Sequence, residues 1–162
     1  MQVQRRALLQ AGLASLTLAT IPSSLGDSEA NSALSDSNLI YLSPHQSDGS
    51  LSHCQAEVWY AMLGADVFVC TASSSWRAQA PLKGLVRTQL WIGDLGVWKN
   101  ADYQSLPTVV AEASIESDEK VLESALQQFG YKYSREWGKW GPRFSQGLAE
   151  GSRMMLRYAL LT

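Results

Sequence analysis

Between residues 66 and 83 the chain gathers hydroxyls and one guanidinium at a spacing suited to holding an anion. Thr71 is followed by Ser73, Ser74, Ser75, Trp76 and Arg77. The run Val67, Phe68, Val69, Cys70 before them is apolar without interruption, as in a strand buried on both faces. The residues after them, about 76–83, read as a short helix that Gly84 ends. Any of Ser73, Ser74 or Ser75 is a suitable N-cap for it. The first amides of a helix lack internal acceptors and carry partial positive charge, so an anion is stabilised there. Arg77 in the first turn opposes the helix dipole. A bound phosphate would reverse that penalty, and the planar fork of arginine matches phosphate geometry. The plainer reading is a serine-rich turn whose hydroxyls only cap the helix.

Other reactive side chains form no comparable group. His45 and His53 flank one loop without an evident third metal ligand. A serine hydrolase would need a nucleophile elbow, and none is present. Glu57, Asp94, Glu112 and Glu116 read as separate strand-surface charges. Cys54 and Cys70 are expected to be free thiols, because a hairpin between their strands would leave them roughly 16 Å apart, against the 7 Å or less a disulfide needs. Trp137, Trp140 and Phe144, interspersed with Gly138, Gly141 and Pro142, suggest a rigid loop with flat aromatic faces. Such a loop would pack on the barrel or a dimer partner, or cover a planar ligand to which Lys139 or Arg143 presents a charge.

The elements that would position these groups are mostly strands. Residues 38–42, 55–63, 67–72, 88–95, 108–115 and 152–161 carry strand patterns, and Gly64-Ala65 is a hairpin turn. Ser117 or Asp118 caps a helix running to Gly130, and residues 131–148 are partly helical. About six mainly antiparallel strands with two or three short helices give a mainly β (α+β) fold, a small barrel with helices packed outside. No dinucleotide motif or P-loop appears. At 162 residues the chain has the length of one domain, and its net charge of −2 gives no electrostatic case for nucleic acid. No stretch approaches the roughly 20 apolar residues of a membrane span.

Residues 1–30 read as an address and the start of a linker, 31–38 as linker, and 39–162 as the domain. Arg5-Arg6 ahead of an apolar run from Ala11 to Ile21 has the order of an export signal. It resembles the twin-arginine type, which implies export of an already folded, often cofactor-loaded protein.

With the strand order in place, Thr71-x-x-x-Ser75-x-Arg77 after an apolar strand resembles the Thr-x-x-x-Ser-x-Lys segment of the pyridoxamine 5'-phosphate oxidase-like family. These are the flavin-binding split β-barrels, with deazaflavin-dependent relatives. Trp91, Ala111-Glu112-Ala113 and Lys132-Tyr133 fall where that layout places similar residues. The resemblance implies a split β-barrel homodimer holding FMN, or a deazaflavin in its place, at the subunit interface. It implies a phosphate held by Thr71, Ser75 and Arg77, and the candidate cofactor-binding set is Thr71, Ser74, Ser75, Trp76 and Arg77. His53 stands where the family carries a further arginine. The arginine–histidine substrate motif of true pyridoxamine-phosphate oxidases is absent, so vitamin B6 chemistry is not implied. The expected function is a flavin-binding oxidoreductase-like protein acting on a small molecule. The alternative is a non-catalytic binding module on the same barrel, holding flavin, haem or no cofactor.

Overall fold

The computed structural model describes residues 25–53 and 55–161. The twin-arginine pattern and Cys54 lie outside them. Seven strands form one antiparallel sheet: β1 (Ile40–Pro44), β2 (Ala56–Val58), β3 (Ala61–Leu63), β4 (Asp66–Ala72), β5 (Arg87–Ile92), β6 (Thr108–Glu116) and β7 (Arg153–Leu161). Their order is β2-β1-β5-β6-β7-β4-β3. Four helices accompany them, α1 (Leu25–Asp36), α2 (Trp76–Leu82), α3 (Glu119–Lys132) and α4 (Ser134–Ala149). The fold is the expected α+β split barrel. None of these helices is long and apolar enough to cross a membrane.

The topology contains its own closure constraint. β2 and β3 are opposite edges of the sheet, yet only Trp59 and Tyr60 separate them in sequence. Three residue steps span at most about 10 Å, so the sheet must curl until its edges nearly meet. Residues 55–63, which alternate like one strand, are therefore two short strands, β2 on β1 and β3 on β4. The side chains turned inward fill the barrel: Ile40, Leu42, Val67, Val69, Leu90, Ile92, Leu156 and Tyr158 are all buried around the small Ala111 and Ala113. Residues 25–36, polar enough to read as linker, form α1 instead and add Ala30 and Leu34 to that core.

Where the chain changes edges, the backbone leaves both ladders, and buried peptide groups need other partners. The Tyr133 hydroxyl provides one. It accepts the Tyr60 N–H at 3.0 Å and lies 2.9 Å from the Tyr60 carbonyl and 2.8 Å from that of Asn38, to either of which its proton can go. Its ring stacks on Trp59 at 4.2 Å and 3°. Tyr60 is fully buried, and its own hydroxyl reaches the carbonyls of Leu34 and Ser37 at 2.7 and 2.9 Å. Burial raises the pKa of both phenols above the ordinary tyrosine value. Lys132 lies beside them with Nζ 3.3 Å from the centre of the Tyr60 ring. Burial lowers its pKa to about 8, while the ring face beneath favours the charged form.

Helices α3 and α4 cover the outer face of β3, β4 and β7 through Phe68, Phe129, Phe144 and Met155. Asp118 caps α3 as expected, accepting from Lys120 N and Val121 N. Gly130 does not end that helix; it lies inside it, where a Cβ would sit 2.8 Å from Trp137 Nε1. The aromatic segment 137–144 is not a loop but the middle of α4. Its glycines and Pro142 disfavour helix by roughly 5 kcal/mol together. Burying large apolar side chains stabilises by about 1.5–3 kcal/mol each, and Trp137, Trp140, Phe144 and Leu148 recur at helical spacing on the packed face. Packing wins over propensity. Residues 93–95, expected to belong to the strand, instead leave the sheet after Ile92.

Replacing Tyr133 by Phe keeps the stack on Trp59 and removes the acceptor of the Tyr60 N–H. The expected loss is about 1–3 kcal/mol, roughly 2–12 °C in the melting temperature for a domain of this size, measured by calorimetry.

Candidate functional site

The end of β4 and the start of α2 bring three of the predicted residues together. Thr71 is 2% exposed, on the inner side of β4 with Val67 and Val69. Its Oγ1 accepts a hydrogen bond from Arg77 Nε at 2.7 Å and lies 3.3 Å from Ser75 Oγ. The turn between them is tied at three points. Ser75 N donates to Ala72 O, Ser73 N to Ser152 O of the segment entering β7, and Gln79 Nε2 to Ser73 O. Ser75 occupies the N-cap position of α2 with extended backbone, φ −69° and ψ 148°, yet its side chain makes no capping bond. The hydroxyl faces Thr71 instead.

This arrangement fixes the guanidinium. With Nε committed to Thr71, the Nη1–Nη2 edge remains for a bidentate oxyanion contact. Among the described residues no carboxylate lies within ion-pair distance of Arg77. Ser74 is exposed at the tip of the turn. Trp76 is half-buried, and its indole N–H is buried without an acceptor among the described residues. Neither hydrogen-bonds to the Thr71–Ser75–Arg77 group. An orphaned donor and a charge without a counterion, on adjacent residues, fit a phosphate-bearing ligand.

The two histidines lie elsewhere. His45 Nδ1 is 2.9 Å from Gly49 O and its Nε2 is buried, while His53 is exposed on the loop. Neither lines the better-formed cavities among the described residues. Nor do three His, Cys, Asp or Glu side chains gather there in a way that would hold a metal ion. Cys70 is a free, buried thiol. Of the strand carboxylates, Asp66 and Glu116 are not isolated: Asp66 Oδ2 is 2.5 Å from Arg157 Nη2, and Glu116 Oε2 is 3.9 Å from Nη1.

No family model matches the chain, and no curated protein matches it in sequence. Solved structures do match. The haem storage protein HutZ from Vibrio cholerae superimposes with a TM-score of 0.59 at 16% identity, covering 84% of this chain and 90% of that one. A haem-binding protein from Mycobacterium smegmatis gives 0.57 at 12% identity, over 86% of this chain and 53% of that one. A Listeria innocua protein provisionally named pyridoxamine 5'-phosphate oxidase gives 0.54 at 13% identity, over 86% and 95%. At these identities the likeness establishes the fold. The chain is a split β-barrel of the architecture shared by pyridoxamine 5'-phosphate oxidase-like and haem-binding proteins.

Ser75→Ala distinguishes ligand-facing from capping hydroxyl without any ligand. Loss of an N-cap costs about 1 kcal/mol. Because this side chain makes no capping bond, urea unfolding of the variant is expected to fall within about 0.5 kcal/mol of wild type.

Proposed function

We propose that the chain binds FMN by its phosphate at Thr71, Ser75 and Arg77, with Ser74 and Trp76 beside them, and serves as a flavin-dependent oxidoreductase. The observation that carries this reading is the Arg77 guanidinium, held at Nε by Thr71 with its other edge open and no carboxylate nearby. A bound flavin supplies hydride chemistry. The chain's own residues fix the phosphate: Thr71 orients Arg77, Arg77 neutralises charge, and Ser75 offers a hydroxyl. A deazaflavin nucleotide, carrying the same phosphate, is held by the same contacts.

The chain acts as a homodimer in this reading. Val110, Ala159 and Leu161 lie on the outer sheet face between the patch covered by α3 and α4 and the patch over Tyr41 and Trp91. Leu161 is 38% exposed. With Gln89, Arg87 and Glu112 beside them on that face, Val110, Ala159 and Leu161 form a mixed apolar and charged strip for a second copy to cover. The paired Arg5 and Arg6 direct export of the folded, loaded chain.

A haem module is the second reading, favoured by the haem-binding proteins among the structures of the same fold. Haem iron needs an axial His, Cys, Met or Tyr beside a planar cavity; Cys70, Tyr133 and Met62 each line a described cavity, and no histidine does. A haem propionate is also an oxyanion that Arg77 could pair with; the hydroxyls of Thr71 and Ser75 grouped with it favour the phosphate.

Titrating FMN and riboflavin into wild type and Arg77→Ala decides the matter. A charge-assisted contact contributes about 1.5–3 kcal/mol, so Arg77→Ala is expected to bind FMN roughly tenfold to hundredfold more weakly. Riboflavin, which lacks the phosphate, is expected to bind both proteins alike. Equal FMN affinity in the two proteins, or a Soret band with added haemin and no flavin binding, would overturn the reading.

A further inference from the structure

The split in the barrel is lined by more than backbone. β2 pairs only with β1, and β4 pairs with β3 no further than Phe68. Beyond the Trp59–Tyr60 crossing the two lips therefore diverge. A cavity of about 490 Å³ opens between them, with Glu57 and Trp59 on one lip, Cys70 on the other, Trp140 and Phe144 of α4 above, and Arg153 of β7. That volume lies within the range of small-molecule sites.

Arg153 is positioned from several sides. Its guanidinium lies 5.0 Å from the centre of the Phe144 ring. Its stem passes so close to Gly147 that a Cβ there would meet Cγ and Cδ at 2.8 Å. Across the same cavity wall it faces the Cys70 thiol; burial raises that thiol to about 11, against the pull of the Arg153 charge. No carboxylate of the described residues lies within ion-pair distance of it. Glu57, the one acidic residue lining the cavity, accepts the Trp98 N–H at 3.1 Å. Around Trp140 the charges are positive: Arg143 at 5.1 Å and Lys139 at 5.6 Å from its ring centre. Trp59 and Trp140 meet edge to face at 6.0 Å, so two differently inclined indole surfaces border the space.

A guanidinium set against a ring face, its stem seated at a glycine notch, with no counterion, is a preorganised anion receptor. Its aromatic surroundings select for a flat ligand. We propose that this cavity binds a planar aromatic carboxylate, its ring among Trp59, Trp140 and Phe144 and its carboxylate on Arg153. Cys70 and Thr71 point to opposite faces of β4, so this site is distinct from the phosphate anchor and stands whether or not flavin binds there.

Calorimetric titration of the full chain with 2-naphthoate and with its neutral isostere 2-naphthamide tests the proposal. A charge-assisted contact predicts at least a roughly tenfold preference for the carboxylate. Arg153→Gln is expected to abolish that preference. Gly147→Ala, which keeps the charge but displaces the stem, is expected to reduce it, and so provides a second variant should Arg153→Gln fail to fold. Arg77→Ala is expected to leave it unchanged, which separates failure here from failure at the anchor. Equal binding of the two naphthalenes by wild type, or a preference retained in folded Arg153→Gln, would overturn the proposal.

Discussion

One phenolic oxygen holds together the place where this barrel closes on itself. The chain steps from one edge of the sheet to the other within two residues, and there the Tyr60 amide has no strand partner. Leaving it buried and unpaired would cost about 1–3 kcal/mol, a large part of the stability of a domain. Tyr133 supplies the acceptor, and its ring braces Trp59. The junction between α3 and α4 is thereby fixed against the sheet, because Tyr133 lies between the two helices. Lys132, one residue earlier, spreads its charge over the ring of Tyr60. Three consecutive constraints on one short corner explain why a sheet with two free edges keeps them together.

Both candidate sites follow from that closure. β3 accompanies β4 only to Phe68, so the last four residues of β4 run past the seam with β7 alone as partner. One side of this extension carries Thr71 toward Arg77, and the other carries Cys70 toward Arg153. Each guanidinium is oriented by neutral groups rather than by a carboxylate. An arginine ion-paired within the protein would be a poor anion receptor, since a ligand would have to displace its partner; these two have none to displace.

Much of the barrel was legible in the sequence because alternation survives wherever one face of a strand is buried. β4, β6 and β7 fall close to where the apolar runs place them, and the turn at Gly64-Ala65 is as expected, with Gly64 at φ +64°. The break at Trp59–Tyr60 was not legible, since alternation continues across it and only the distant Tyr133 reveals the change of edge. α4 was legible only in part, as helical character within 131–148; its middle was masked by Gly138, Gly141 and Pro142, whose local preference is overruled by the aromatic residues they accompany. α1 was hidden by its polar composition, as only Ala30 and Leu34 are needed to fill the barrel. At the anchor, hydroxyl and guanidinium spacing predicted the Thr71–Ser75–Arg77 grouping. Nothing local linked Arg153 to Cys70: they are 83 positions apart and meet only through the β4–β7 register.

Amide hydrogen exchange at Tyr60 tests the closure directly. A backbone N–H in a loop between two three-residue edge strands would ordinarily exchange by local opening, far faster than the central sheet. If Tyr133 holds the seam, the Tyr60 amide exchanges as slowly as those of Val69 and Leu156 in the middle of the barrel, with the free energy of global unfolding. Exchange of Tyr60 at the rate of an exposed loop, while Val69 and Leu156 remain protected, would contradict the account.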